Sequence, residues 1–227
     1  MAFVVAALWE YIANLRAQRD AERLLQQVRT LNLDESAAAD VERIVGQFGA
    51  IDMPFPGYCE SVDWVRSIEV SSPSLNRIGR KIPWLRWFGN PAWDAQAHFA
   101  ISQGRLCFVE YSISANPSPP LLGTFFVLNS RADYHRPFLQ TPEFSYGVGL
   151  RNLHYFHDLS ASVTTLGGPK DHQRAFDFDL SCLSRLGGCR GVCELMPSAW
   201  IDYQKKAQEK GLDLPADELA DPYCQKP

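Results

Sequence analysis

Apolar residues recur at helical spacing at the start of the chain. Leu8, Ile12, Leu15, Leu24, Leu25, Val28 and Leu31 predict one long helix from about residue 5 to 31, polar around Gln18 to Arg23. A second helix follows the tight turn at Asn32–Asp34. Asp34, Glu35 and Ser36 supply its cap and first-turn negative charge, and Val41, Ile44, Val45 and Phe48 its apolar stripe, with Gly46 and Gly49 as its end. So short a connection makes the two helices antiparallel neighbours.

The pattern then changes from a period near four to a period of two. Ile51–Gly57 is a Pro-rich link, and Tyr58–Val70 alternates as a strand, with Cys59, Val62, Trp64 and Ile68 as its inward residues. Gln96–Ser114 holds two alternating runs joined by Gln103-Gly104, a β-hairpin. Pairing Ser102 with Arg105 sets Ile101 opposite Leu106 and Phe99 opposite Phe108 on one face, with His98 and Cys107 on the other. Three further strands are predicted at Gly123–Asn129, Phe144–Leu150 and Leu153–Leu166, with a polar loop from Ser130 to Pro142 between the first and second. Near the C-terminus, Asp171 caps a core helix carrying Phe176, Leu180, Leu183 and Leu186 on one face, stopped by Gly187-Gly188. Ser198–Lys210 is a charged helix, followed by a loose tail containing Cys224.

These elements predict an α+β fold: two N-terminal helices, an antiparallel sheet of four to six strands, and C-terminal helices packed on it. Residues 1–31 form an apolar start and long helix, 32–197 one α+β domain, and 198–227 a charged terminal helix and tail.

Composition narrows the function classes. A formal net charge of −4 argues against a general nucleic-acid binder, which needs a basic surplus to neutralise phosphates. Six cysteines in 227 residues are many for a reducing compartment, and an even count suits an oxidising one. Met1–Ile12 is apolar except for Glu10, yet shorter than the ~20 residues that span a bilayer. It admits three readings: the end of a membrane helix, an interfacial anchor, or the first apolar turns of a soluble helix. Trp9 and Tyr11 stand where an aromatic belt would, just before the polar run Asn14–Arg23, which favours the membrane reading.

The phrase LLQQVRTLNLDESAAADVERIVGQFG, residues 24–49, resembles the helical pair that opens small bacterial envelope domains of the outer-membrane assembly lipoprotein type, the SmpA/OmlA kind. The resemblance implies a short turn and a Val-x-x-x-x-Gly helix ahead of an antiparallel sheet. A second phrase, FDLSCLSRLGGCRGVCELMP, is similar to envelope proteins of soil bacteria such as the Acidobacteria, which implies the compartment and no activity.

The densest constellation is Cys182, Cys189 and Cys193. A Cys182–Cys189 disulfide is its simplest account, because Gly187 and Gly188 let the chain reverse between them. Zinc would need four ligands at familiar spacings, and neither C-x2-C nor a nearby histidine is present. In residues 77–93 the cations Arg77, Arg80, Lys81 and Arg86 interleave with Trp84, Trp87, Phe88 and Trp93. Such a stretch is either an interfacial patch for anionic lipid or an acidic partner, or a short helix that buries its rings on the sheet. His154 and His157 point to opposite faces of a strand, and His135-Arg136 lie in the polar loop. The chain carries no G-x-S-x-G, P-loop, G-x-G-x-x-G or H-E-x-x-H motif and no recognisable metal or cofactor site. The expectation is an envelope interaction or scaffold module, membrane-anchored or extracytoplasmic, whose partner is an envelope protein or a membrane surface. The alternatives are an enzyme acting through the histidines or a peripheral membrane binder acting through residues 77–93.

Overall fold

The computed structural model describes residues 2–33, 35–53, 59, 61–73, 92–115, 125–133, 143–151, 154–163, 173–185, 188–209 and 224. The fold is α+β. Helix α1 spans Ala2–Arg29 and α2 Ala38–Phe48. The strands are β1 (Ile51–Asp52), β2 (Trp64–Ser71), β3 (Trp93–Ser102), β4 (Arg105–Ala115), β5 (Phe125–Asp133), β6 (Glu143–Arg151) and β7 (His154–Val163). A 3₁₀ turn at Ser181–Ser184, a single turn α3 (Val192–Leu195) and helix α4 (Pro197–Glu209) complete the described elements.

The sheet order is β1-β2-β3-β4-β5-β7-β6. From β1 to β5 each strand pairs antiparallel with the next, so the first five strands form a meander. The chain then skips a place: β6 takes the edge, and β7 returns between it and β5, antiparallel to β6 and parallel to β5. That one parallel pair departs from the all-antiparallel sheet the sequence predicts. Alternation within a strand reports burial and says nothing of which neighbour the strand chooses.

The Gln103-Gly104 turn has positive φ at both residues, 52° and 74°, as a two-residue hairpin of matching twist requires. Ser102 pairs with Arg105 and Ile101 with Leu106. Beyond them the register shifts, so Phe99 lies opposite Val109, and Ala100 opposite Phe108. Cys107 is the extra residue of a β-bulge, which carries Phe108 to the face away from the helices. The expected Phe99–Phe108 pair is therefore not formed.

One face of the sheet holds the main core. Ala21, Leu24, Leu25 and Val28 of α1, and Val41 and Ile44 of α2, pack on Ile68, Trp93, Ala97, Phe99, Leu106, Val109, Tyr111 and Ile113. The C-terminal segment fills the rest with Phe176, Phe178, Leu180, Leu183, Leu195 and Met196, the Phe178 ring meeting Tyr111 edge-on at 5.2 Å. The other face has a small cluster of Cys59, Val65, Ala100, Cys107 and Phe108 near the hairpin turn. Elsewhere it carries Asp94, Gln96, His98, Glu110, Ser112 and Ser114, all half-buried.

The predicted core helix near 171–186 is not continuous. One helical turn at 173–175 gives way to non-helical backbone before the 3₁₀ turn. Phe176, Phe178 and Leu180 are all buried while Asp179 is exposed, a period of two, and the Asp179 carboxylate accepts the Ser181 N–H at 2.9 Å. Short acidic side chains that bond nearby backbone compete with the helix in this way. Asp171 and Leu186 lie outside the described residues.

The start of α2 also differs from expectation. Ser36 closes the preceding turn, its Oγ accepting the Asn32 N–H at 3.0 Å, while the Asp40 carboxylate accepts the Ala37 N–H at 3.1 Å. Gly49, with φ 75°, ends the helix, and its N–H donates to the Val45 carbonyl.

All six cysteines are bridged: Cys59–Cys107, Cys182–Cys189 and Cys193–Cys224. Cys224 is buried and its carbonyl accepts the Trp200 indole N–H at 3.2 Å, while residues 210–223 and 225–227 of the expected tail lie outside the described residues. Three bridges place the chain in an oxidising, extracytoplasmic environment. Among the described residues, no helix is long and apolar enough to cross a membrane.

Candidate interaction surface on the first helix

The first half of α1 is inside out. Glu10, Asn14 and Gln18, four residues apart, form a row facing the body of the protein and are at most 8 % exposed. Val5, Leu8, Trp9, Tyr11 and Ile12 lie on the other sides of the same turns and are 36–68 % exposed. From Ala21 onward the polarity becomes ordinary, with Ala21, Leu24, Leu25 and Val28 buried. A helix end that met only water would expose the acid and amides and turn the leucine and tryptophan inward.

The polar row is held by specific bonds. The Asn14 Nδ2 group donates to the Leu183 carbonyl at 3.0 Å, and its Oδ1 accepts the Trp93 indole N–H at 2.9 Å. One fully buried amide thus ties α1 to both β3 and the 3₁₀ turn. One turn on, Gln18 donates to the Glu22 carboxylate at 2.8 Å. Tyr111 adds a third tie from β4, its hydroxyl donating to the Ala21 carbonyl at 3.1 Å. At the far end Arg29 donates to the Phe176 carbonyl at 2.8 Å and pairs with Asp177 at 3.5 Å. The bonds of Asn14, Tyr111 and Arg29 to other elements fix the roll of α1 about its axis, so its apolar first turns are held outward.

The residues singled out from the sequence fall elsewhere. Trp93, expected in an interfacial patch, is 1 % exposed and belongs to the core. Its position two residues after Pro91 starts β3 and turns the ring toward α1, where Asn14 satisfies the indole. Arg77, Arg80, Lys81, Trp84, Arg86 and Trp87 lie outside the described residues, as does His135-Arg136. Cys182 and Cys189 are joined to each other and buried. His154 pairs with Arg151 at the end of the β6-β7 pair, and His157 lies between Phe126 and Val148 in the ladder.

His98 stands on the half-buried polar face, paired with Ser67 on β2 and Glu110 on β4. Burial holds its pKa below the ordinary imidazole value, so the neutral ring is favoured. A recess of about 750 Å³ opens where α1 and α2 meet β2, bordered by Asp20, Arg23, Gln47, Phe48 and Glu69. It is open and of mixed charge. Among the described residues no group of histidine, cysteine and acidic side chains is placed to hold a metal ion.

Sequence reasoning missed the outward face of α1, although the signal was present. At about 100° per residue, Leu8, Ile12 and Leu15 lie half a turn away from Leu24, Leu25 and Val28, so the apolar stripe changes sides along the helix. No protein-family model matches the chain, and neither a curated protein nor a solved structure matches it significantly.

Proposed function

We propose that this protein is a non-catalytic interaction or scaffold module of the bacterial envelope, with the outward face of α1 as its contact surface. The observation that carries the reading is the reversed polarity of α1. Val5, Leu8, Trp9 and Ile12 are exposed on a helix whose buried side, at the same level, is Glu10, Asn14 and Gln18. Exposed large apolar side chains gathered in one place mark an interaction site. Three disulfides support the compartment and make the sheet and C-terminal segment a stiff platform for that surface.

The test is site-specific photo-cross-linking in intact cells, with the reactive group at position 9 and a control at position 43, an exposed site on α2. Adducts to lipid or to a discrete partner at position 9, and none at 43, are expected. Equal labelling at both sites, or none at either, would remove the contact surface. A specific hydrolytic turnover in a broad substrate screen would overturn the non-catalytic assignment.

A further inference from the structure

We infer that the surface on α1 docks on an anionic lipid bilayer, with the helix lying in the interface and not across the membrane; this rests on the contact surface proposed above. The supporting observation is what continues the exposed face. Val5, Ile12 and Arg19 form one row at seven-residue spacing, and Trp9, Arg16 and Arg23 form the neighbouring row, offset by four residues. Each row begins apolar and ends cationic. Arg16 and Arg19 are exposed and make no ion pair among the described residues, whereas Arg23 is paired with Asp20.

At ~1.5 Å rise per residue, Trp9 stands about 10 Å before Arg16 along the axis. A helix tilted with its first turns down sets Val5, Leu8 and Ile12 among the upper acyl carbons, with the Trp9 ring at the headgroups. Arg16 and Arg19 then reach the phosphates with their stems on the apolar boundary.

A second copy of the chain fits this surface less well. Parallel pairing of two such faces sets arginine against arginine, and antiparallel pairing sets the apolar turns of one copy against the arginines of the other. A bilayer surface offers acyl chain to one end and phosphate to the other at once. With a net charge of −4 the chain as a whole is not drawn to an anionic surface, so the attraction is local to this face.

The test is flotation of the purified, disulfide-intact protein with vesicles of phosphatidylcholine alone and of phosphatidylcholine mixed with phosphatidylglycerol. Binding to the mixed vesicles, weaker in high salt, is expected. Arg16→Ala with Arg19→Ala should weaken it roughly 30-fold, at about one surface-cation contribution per arginine. Trp9→Ser with Ile12→Ser should abolish it. Should the serine variant fail to fold, Trp9→Phe isolates the share of Trp9 in quenching by brominated lipid, and quenching that is the same in Trp9→Phe and wild type would overturn the pose. Absence of vesicle binding, together with a dimer in sedimentation that the serine variant dissolves, would overturn the lipid and leave the contact surface standing. Binding that survives both double variants would overturn the lipid pose and remove α1 as the contact surface.

Discussion

Replacing Asn14 tests the feature that sets the orientation of α1. The side chain is fully buried and makes two bonds, to the Leu183 carbonyl and from the Trp93 indole. Asn14→Leu keeps the approximate volume and leaves both partners buried without a bond. Each orphaned group costs about 1–3 kcal/mol. The added apolar burial offsets about 1–2 kcal/mol of that sum. At the middle of those ranges a net loss of about 2.5 kcal/mol is expected, which is a large share of the ~5–15 kcal/mol that holds a typical domain folded. Urea unfolding with the disulfides intact measures it, read from the midpoint at unchanged slope. Asn14→Asp supplies the control. A carboxylate there still accepts from Trp93 but cannot donate to Leu183, and burial raises its pKa in the folded state. The deficit relative to wild type should grow as pH rises above the ordinary carboxylate value and shrink below it, where the protonated acid can donate. A loss under about 1 kcal/mol for Asn14→Leu, or a pH-independent deficit for Asn14→Asp, would refute the account of the polar row as the tie that orients α1.

Three further outcomes follow from the same packing. Removing the Cys59–Cys107 bridge, which spans 48 residues, should cost about 4 kcal/mol, and removing Cys182–Cys189, which spans 7, about 2.5 kcal/mol, so denaturant midpoints of the paired Cys→Ala variants should fall in that order. His98 is held neutral by burial, so it contributes a penalty that is absent above the unfolded histidine value of about 6.5 and grows as pH falls below it. The stability of His98→Gln should therefore decline less than wild type on acidification. Tyr111→Phe leaves the second lone pair of the Ala21 carbonyl unused and should cost about 1 kcal/mol at neutral pH. Because burial raises the Tyr111 phenol far above its usual range, that advantage should shrink in unfolding curves taken above pH ~10, where the unfolded tyrosine ionises.

The fold was legible where one physical rule governs a stretch. Period-two alternation with Gln103-Gly104 at its centre specified the β3-β4 hairpin and its first two pairs, and helical spacing specified α1 and α2. It failed where two rules compete. The bulge at Cys107 serves the bridge to Cys59, a partner 48 residues away that no local pattern names, and Phe108 changes face as a result. Phe176, Phe178 and Leu180 carry both a helical and an alternating reading, and the side chain of Asp179 decides for the second. Cys224 looks like part of a solvated tail until Cys193 is seen beneath it.

The same competition explains why the contact surface was hidden and Trp93 was misplaced. Aromatic and basic residues at 77–93 matched the composition of a membrane patch, but composition does not distinguish a ring that meets lipid from one that meets a buried amide. Trp93 found Asn14, and that single bond pair both buries the tryptophan and rolls Val5, Trp9 and Ile12 outward. The apolar start of the chain thus owes its exposure to residues seventy and more positions away, and only the phase of the helix records it locally: Glu10, Asn14 and Gln18 continue the buried line of Ala21, Leu25 and Val28. A polar row in line with an apolar one shows that the outward face was left apolar although an ordinary arrangement of the same helix was available. Reversing it with Asn14 retained, by leucine at positions 10 and 18 and polar residues at 5, 9 and 12, would give a more conventional amphipathic helix. Such a chain should lose the surface on which both functional proposals depend while keeping the sheet beneath it.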